Sequence, residues 1–295
     1  MFYKNFTKKT KISAFSLVEL SIVIFVIGIL ITGATQGYNL VKSAQISNAR
    51  GITSKSPIAQ IQGLIAWYET SMKESLNSSE LKEGANITAW KDISPSSIVN
   101  GNNKLTAVAS SNITYSQSAI NKIPSLKFTG SANLSIANFS QGPSSQATIF
   151  LVIKPDYTPD STNYKAIFDG NSADFAFSIK SDMVRLNAGS TTSSSSSANS
   201  FANSGEYAIA VYFNGLSSKA FVNNTDSPIG GSTALNSGTN QLNGFVIGSN
   251  RSSPFVGFPG YISEVVIFNR IIKNAERKEI FNYLSKKYKI SITGL

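Results

Sequence analysis

The sequence contains no cysteine and no histidine in its 295 residues. Without cysteine it forms neither disulfide bonds nor thiolate metal sites, and cysteine usage says nothing about its redox compartment. Without histidine it lacks the commonest general base and the commonest ligand of transition metals. A Ser-His-Asp triad and an HExxH zinc site are therefore excluded.

Charged residues are also scarce, at 14% of the chain, yet the net charge is +10. Part of the excess is local, because the first fourteen residues hold four lysines and no acidic residue: Lys4, Lys8, Lys9 and Lys11. A second basic group lies near the C-terminus: Arg277, Lys278, Lys286, Lys287 and Lys289. A dense basic face with interleaved aromatic residues, which is typical of nucleic-acid binding, is not seen. No nucleic-acid partner is therefore expected.

The 16 acidic residues are scattered along the chain rather than clustered. Glycoside hydrolysis needs a pair of carboxyl groups, and some glycan-cleaving sandwiches carry them on one strand in the pattern E-x-D-x-x-E. That pattern does not occur, and the absence of histidine removes the common hydrolase centres. The sequence therefore predicts that the chain is not an enzyme.

The sequence does have a long apolar run near its start, FSLVELSIVIFVIGILITGAT, from Phe15 to Thr35. As a helix it rises about 1.5 Å per residue and spans roughly 31 Å, the thickness of a bilayer core. A more polar stretch continues the helix to residue 50, and Gly51 and Pro57 are expected to end it. We therefore predict a basic leader at 1–14, a transmembrane or assembly helix at 15–50 and a linker at 51–61.

Glu19 is the one acidic residue inside this apolar run. The lysines before the run place the N-terminus in the cytoplasm and the rest of the chain outside it. A carboxylate in a bilayer costs about 3 kcal/mol, so such a residue indicates a function. If the chain is cut before Phe15, Glu19 of one subunit is placed to neutralise the new α-ammonium of a neighbour in a helix bundle.

These residues resemble the leader of type IV prepilins. The resemblance rests on KKTKISA up to Ala14, followed by FSLVEL from Phe15, and on IGIL at 27–30. It implies that a membrane-embedded prepilin peptidase cuts between Ala14 and Phe15 and methylates Phe15. It also implies that the helix assembles with other pilin or pseudopilin subunits at the inner membrane. Ala14 stands where the family usually has glycine, and the proline found further along many pilin helices is absent.

Two other interpretations of the N-terminus remain open. An ordinary signal peptide would use Leu20–Ile31 as its apolar core and Thr32-Gly33-Ala34 as its cleavage site. An uncleaved membrane anchor would keep the whole run. Neither has a use for Glu19, which favours the prepilin interpretation.

The rest of the chain has the pattern of many short antiparallel strands. Apolar or alternating segments are separated by Ser, Asn, Gly and Pro clusters. The predicted strands are Ser125–Thr129, Thr148–Lys154, Tyr164–Asp169, Phe175–Lys180, Met183–Asn187, Tyr207–Phe213, Lys219–Val222, Leu242–Gly248 and Tyr261–Phe268. The serine run at 193–197 is expected to lie in a loop, and a helix capped by Asn274 is expected to close the domain.

Residues 62–295 resemble bacterial concanavalin A-like (laminin-G-like) domains. The resemblance rests on GLIAWYETS, ITAWKDIS and IPSLKFTGSANLSI at the start, and on GYISEVVIFNR and NAERKEIFNYLSKKY at the end. It implies a jelly-roll sandwich with a C-terminal helix. The predicted fold class is therefore mainly β, with an N-terminal helix before the sandwich.

Few residues of this head stand out as candidates for a site. Trp67 and Trp90 suit either sugar stacking or the core. Asp169, Asn171 and Asp174, in the segment DGNSAD, suit either Ca²⁺ coordination or a hairpin turn, and no other cofactor is expected. Glu264 is expected to form an ion pair, with Arg270 as the candidate partner.

The sequence thus predicts a minor pilin or pseudopilin subunit whose head faces the periplasm or, after assembly, the cell surface. The head is expected to bind an extracellular glycan or protein. The alternative is a membrane-anchored binding module that does not polymerise.

Overall fold

In a computed structural model, the chain forms two compact units, Met1–Ala44 and Gln45–Leu295. The structure describes residues 16–100, 103–108, 112–189, 192–196, 201–229, 234–251 and 256–295, with residues 99, 100 and 192–196 described for their backbone alone. The predicted leader at 1–14 and the predicted cleavage and methylation site at Ala14 and Phe15 lie outside these residues.

The helix α1 runs from Leu17 to Ser54. It holds an apolar window with a mean hydropathy of 2.5, none of it buried, which is long enough to cross a membrane. A signal sequence near an N-terminus has the same properties. The helix ends four residues later than predicted, because Ala49 and Thr53, one turn apart, are buried in the second unit. Gly51 therefore does not end it, and Pro57 follows soon after its last turn.

Within the described part of the chain, fifteen antiparallel strands form two sheets. The first sheet has the order β13-β12-β7-β15-β5-β4, and β1 also pairs with β15. The second has the order β11-β10-β9-β8-β14-β6-β3-β2. The strands are β1 Leu64–Glu69, β2 Ala89–Trp90, β3 Leu105–Ala107, β4 Thr114–Ile120, β5 Ile123–Thr129, β6 Leu134–Ile136, β7 Ala147–Pro155, β8 Lys165–Asp169, β9 Ala176–Ile179, β10 Met183–Asn187, β11 Thr192–Ser196, β12 Tyr207–Phe213, β13 Lys219–Val222, β14 Phe245–Ile247 and β15 Pro259–Phe268.

The first sheet is buried on both faces. Along β7, Ile149, Leu151 and Ile153 belong to the core between the two sheets. Phe150 and Val152, which alternate with them, belong to a second cluster on the outer face. Alternate residues of a strand point to opposite faces, so burial of both produces the continuous apolar run that the sequence shows.

The described part of the head also contains two α-helices of its own. A short helix, α2, covers Pro95–Asn100, and α3 covers Asn274–Tyr288. Ile280, Phe281 and Leu284 of α3 lie in the outer cluster on the first sheet, together with Ala49 of α1. Asn274 is the first residue of α3 rather than its cap, and the free backbone N–H of Lys273 is bound by Glu276 Oε2 at 2.7 Å.

The predicted β-sandwich with an N-terminal and a C-terminal helix is therefore found, as antiparallel sheets in two layers. Each predicted strand overlaps an observed one, but six observed strands were not predicted: β1, β2, β3, β4, β6 and β11. β4 (TYSQSAI) is polar at its centre, and β11 lies in the serine run that was expected to be a loop. β4 and β11 each lie at the edge of a sheet, where backbone pairing suffices without a buried apolar face.

Candidate functional site

Glu19 lies in the first turn of an exposed helix. Its Oε2 accepts a hydrogen bond from the Ser16 backbone N–H at 2.9 Å, while Ser16 Oγ accepts one from the Val18 N–H at 3.3 Å. Each side chain thus satisfies a backbone donor that the start of the helix leaves free. The apolar side chains around it are exposed, with Leu17 at 85% and Phe25 at 69%. Glu19 therefore lies in the first turn of α1, among exposed apolar side chains, and has no charged partner among the described residues.

The two tryptophans are buried and their ring N–H groups are used inside the head. Trp67 is 4% exposed and donates from Nε1 to Glu264 Oε1 at 2.7 Å. Trp90 is fully buried and donates from Nε1 to the Glu69 carbonyl at 3.0 Å. Neither indole presents a face to a ligand, so both are withdrawn as sugar-stacking candidates. Their place is in the core, the other role that the sequence allowed.

The acidic residues of DGNSAD shape the β8–β9 hairpin. Asp169 is buried, and its Oδ1 accepts hydrogen bonds from the N–H groups of Gly170 and Phe175 at 2.8 and 3.0 Å. Burial raises the pKa of Asp169, and these N–H donors partly offset the rise. Asp174 forms an ion pair with Arg251 at 2.7 Å. Asn171 is half-buried in the same turn.

The carboxylates proposed as Ca²⁺ ligands are therefore engaged by N–H donors, which compete with a metal for the same lone pairs. In the described part of the chain, no group of three or more acidic, histidine or cysteine side chains is arranged to hold a metal ion.

A buried ionic cluster joins α3 to the first sheet. Lys287 Nζ lies 2.7 Å from Glu69 Oε2 and 2.8 Å from Glu264 Oε2, and the three side chains are 0 to 1% exposed. Tyr283 and Tyr288 each donate their hydroxyl to Glu264 at 2.8 Å. Burial disfavours the charged forms of Glu69 and Lys287. The ion pairs outweigh burial, so the pKa of Glu69 is lowered by Lys287 and the pKa of Lys287 is raised by the two carboxylates. Every member is hydrogen-bonded, as a buried charge requires.

Glu264 is thus paired, as predicted, but with Lys287 and not with Arg270. Arg270 instead binds Glu276 of α3, with Nη2 2.6 Å from Oε1. The same cluster reaches the end of α1, because the hydroxyls of Thr53 and Tyr283 lie 3.3 Å apart. The cluster is sealed from solvent, so its role here is to hold the elements of the head together.

An open groove lies on the outer face of the second sheet. In sequence order it is lined by Thr162, Asn163, Tyr164, Ala166, Ala176, Ser178, Arg185, Asn250 and Val256, with a volume of about 390 Å³. Volumes of about 300–1,000 Å³ are usual for small-molecule sites. The sequence analysis named none of these residues, which come from four separate segments of the chain.

The floor of this groove follows from strand register. Ala166, Ser178 and Arg185 lie directly opposite one another on β8, β9 and β10. Their neighbours Ile167, Phe177 and Val184 point into the core, so these three point outward. Two of the three are small, which leaves open space above the sheet.

Residues before β8 and two residues after β14, Asn250 and Val256, form the walls of the groove. The loop before β8 is shaped by Asp160, whose Oδ1 accepts hydrogen bonds from the N–H groups of Asn163 and Thr162 at 2.6 and 2.7 Å. In the segment after β14, Asn250 Oδ1 accepts a hydrogen bond from the Val256 N–H at 2.7 Å. Val256 in turn binds β8 through its carbonyl, which accepts from the Ala166 N–H at 2.9 Å.

Tyr164 and Arg185 stack on each other in this groove. The guanidinium carbon of Arg185 lies 3.6 Å from the centroid of the Tyr164 ring. The Arg185 Nε is buried without a hydrogen-bond partner among the described residues, and so is Asn187 Oδ1, two residues along the same face of β10. The groove therefore offers an aromatic ring, a cation and several amide and hydroxyl groups. This mixture suits a polar ligand with both hydroxyl and charged groups.

The head shares its fold with solved structures of low sequence identity. It matches domain 4 of AbnA, a GH43 extracellular arabinanase from Geobacillus stearothermophilus in complex with arabinotriose, at 14% identity and a TM-score of 0.51, over 74% of this chain and 97% of that one. The binding domain of Paraclostridial Mosquitocidal Protein 1 matches at 11% identity and a TM-score of 0.52, over 76% and 52%. No protein-family model matches the sequence, and no curated protein matches it either.

A sialidase from Trypanosoma rangeli in complex with sialic acid matches at 16% identity and a TM-score of 0.50, over 77% of this chain and 33% of that one. This chain therefore spans about a third of the sialidase. At such identities the likeness shows the fold alone, a β-sandwich.

These comparisons correct the prediction that the chain is not an enzyme. The structures that share its fold belong to an arabinanase and to sialidases, among others. The prediction rested on the absence of histidine and of one carboxylate pattern, and glycoside hydrolysis requires neither of these. That prediction is therefore wrong as it was drawn from the sequence.

Proposed function

We propose that this chain is a type IV pilin-like subunit, a minor pilin or pseudopilin, that displays a carbohydrate-binding head. In this proposal prepilin peptidase cuts between Ala14 and Phe15 in the inner membrane and methylates Phe15. The helix from Phe15 onward then packs with those of other subunits. The head, a concanavalin A-like jelly roll, faces the periplasm or the cell surface.

The observation that carries the proposal is Glu19 at the start of an exposed apolar helix. A helix that spans a membrane alone gains nothing from a carboxylate there, and pays the cost of its desolvation. In a bundle of identical helices, Glu19 of one subunit would pair with the new N-terminal ammonium of its neighbour. This pairing would fix the offset between neighbouring helices along the bundle. The lysine-rich leader and the FSLVEL sequence support the same interpretation.

The mass of the mature N-terminal peptide tests processing directly. The protein is expressed in a host with prepilin peptidase, and membranes and sheared material are digested and analysed by mass spectrometry. We expect a peptide that starts at Phe15 and carries one additional methyl group. A peptide that starts near Thr35 would indicate a signal peptide, and an intact Met1 would indicate an anchor; either result contradicts the proposal.

A second candidate is a membrane-anchored binding module that does not polymerise. The groove on the second sheet favours it, because a binding site in the head needs no assembly of the helix. Domain 4 of the arabinanase, with its arabinotriose, supports a saccharide as the ligand class for either candidate. Crosslinking between α1 helices in intact cells distinguishes the two, since only the pilin-like subunit gives a ladder of products.

A further inference from the structure

We infer that the groove on the second sheet binds an acidic saccharide, with Arg185 holding the carboxylate of a uronic or sialic acid residue. This inference rests on the carbohydrate-binding head proposed above and adds the charge of its ligand.

In the described part of the chain, Arg185 is the one arginine whose guanidinium has no hydrogen-bond acceptor. Among the described residues, Arg251 is paired with Asp174 and Arg270 with Glu276. Arg277 donates to the Thr225 carbonyl at 2.6 and 2.9 Å, and Arg50 to the Ser71 carbonyl at 2.6 Å. Arg185 instead stacks on Tyr164, with Nε buried and unpaired. A partly buried guanidinium without an acceptor is unfavourable, and an incoming carboxylate would satisfy it.

No acidic side chain of the described groove competes for that guanidinium. Arg185 is the only charged residue among those that line it. Nearby, Asp174 is held by Arg251, and Asp160 is held by the N–H groups of its own loop. Asp182 accepts a hydrogen bond from Ser181 at 3.3 Å. Lys180, whose Nζ lies 5.1 Å from the Tyr164 ring centroid, adds a second positive charge beside the groove.

The rest of the groove fits the neutral part of a sugar. The side chains of Ala166, Ala176 and Ser178 leave a floor on which a ring can lie. Asn163, Asn250 and the hydroxyls of Thr162 and Tyr164 offer donors and acceptors to sugar hydroxyls.

The inference is tested with the full-length protein in detergent micelles. An array of uronate-bearing, sialylated and neutral glycans identifies ligands. The strongest acidic ligand is then titrated beside the same glycan after its carboxyl group has been reduced to a primary alcohol. We expect the acidic form to bind about 10- to 100-fold more tightly, the usual worth of a charge-assisted hydrogen bond. Equal affinity for the two forms, or no binding to any acidic glycan, would overturn the inference.

Two variants and one control locate the site. Arg185→Gln should abolish the preference for the acidic form, and Ala176→Phe should abolish binding of both forms by filling the floor. Lys219→Gln removes a positive charge from β13 of the other sheet and should leave binding unchanged. Circular dichroism checks that each variant is folded. If Arg185→Gln does not fold, Ala176→Phe still tests the site. Wild-type affinity in both folded groove variants would contradict the inference. The N-terminal mass is measured separately, so a failure here is distinct from a failure of the pilin-like proposal.

Discussion

Lys287 Nζ lies 2.7 Å from Glu69 Oε2, although the two residues are 218 positions apart in the chain. Glu69 ends the first strand of the head, and Lys287 lies in the last turn of the last helix. Glu264 on β15 binds the same ammonium at 2.8 Å. This one nitrogen therefore ties the start and the end of the head to its central strand.

Replacing Lys287 by methionine is expected to destabilise the head by about 3–5 kcal/mol, because two buried carboxylates lose the cation with which both are paired. The free energy of unfolding is measured by denaturant titration, with the fluorescence of the two buried tryptophans as the signal. Lys286→Met is the matched control, since Lys286 is exposed on the same turn and should change stability by less than about 0.5 kcal/mol. A similar loss in both variants would contradict a special role for Lys287.

The same variant should reverse the pH dependence of stability on the acid side. The pKa of Glu69 is lowered, since pairing with Lys287 outweighs burial, so its stabilisation is complete above about pH 5 and is lost as the pH falls. In Lys287→Met the unpaired carboxylate is disfavoured by burial, its pKa rises, and protonation becomes stabilising. Between pH 7 and pH 4 the wild-type protein should therefore lose stability while the variant gains it. Parallel slopes would show that Glu69 is not coupled to Lys287.

On the alkaline side, the wild-type protein should be stable up to about pH 9 and then lose stability. The pKa of Lys287 is raised by Glu264 and Glu69 against the effect of burial, and burial raises the pKa values of Tyr283 and Tyr288 well above normal. A group whose pKa is higher in the folded than in the unfolded state stabilises the fold fully at a pH below its pKa in the unfolded state. This stabilisation is lost as the pH rises through its pKa in the folded state. Thermal unfolding at pH 7 to 11 measures this. A melting temperature that stays constant to pH 11 would contradict it.

Trp67→Phe should lower stability by about 1–3 kcal/mol, because Glu264 loses the indole donor and the smaller ring leaves space beside Tyr283. Saccharide binding should not change, since the indole lies in the outer cluster on the first sheet and not in the groove. The variant is compared with wild type in the denaturant and glycan titrations. Loss of binding at full stability would restore Trp67 as a ligand contact.

Glu19→Gln should leave insertion, leader cleavage and head folding intact but prevent incorporation into filaments. Glutamine keeps the side-chain oxygen that accepts from the Ser16 N–H and removes only the charge. The neighbour's ammonium would be left unpaired in an apolar bundle, at a cost of about 3–5 kcal/mol. Sheared and membrane-retained fractions are compared for the variant and for Ser21→Ala, a change on the same helix that leaves its charge unaltered. Equal incorporation of both variants would remove the assembly role of Glu19.

The strands of the core could be predicted because the pattern of apolar residues within each strand follows its pattern of burial. β7 and β12 are buried along their whole length and are apolar at nearly every position. β10 is buried at alternate positions and its apolar residues alternate in the same way. The edge strand β11 could not be predicted, since Thr192–Ser196 pairs with β10 through its backbone and a serine run has no apolar period.

The groove could not be predicted for a different reason. Tyr164 and Arg185 meet because β8 and β10 flank β9, and no spacing within either segment indicates it. Lys287 was likewise grouped with the basic residues of the C-terminus, because its burial depends on Glu69, which lies at the other end of the head. Both features depend on contacts between segments that are far apart in the chain, and the local pattern of a single sequence does not reveal such contacts.

The position of β15 has a consequence for how the chain is made. It is the last of the described strands in chain order, yet it pairs with β1, β5 and β7, and Leu64 of the first strand lies opposite Phe268. Pairings between such distant residues form slowly, because a long loop must close before any contact is gained. In a nascent chain that does not yet include β15, β1 and β5 lack this partner. Their unpaired apolar edges are then open to non-native pairing. The head is therefore expected to stay unfolded, and open to chaperone binding, until β15 has been synthesised.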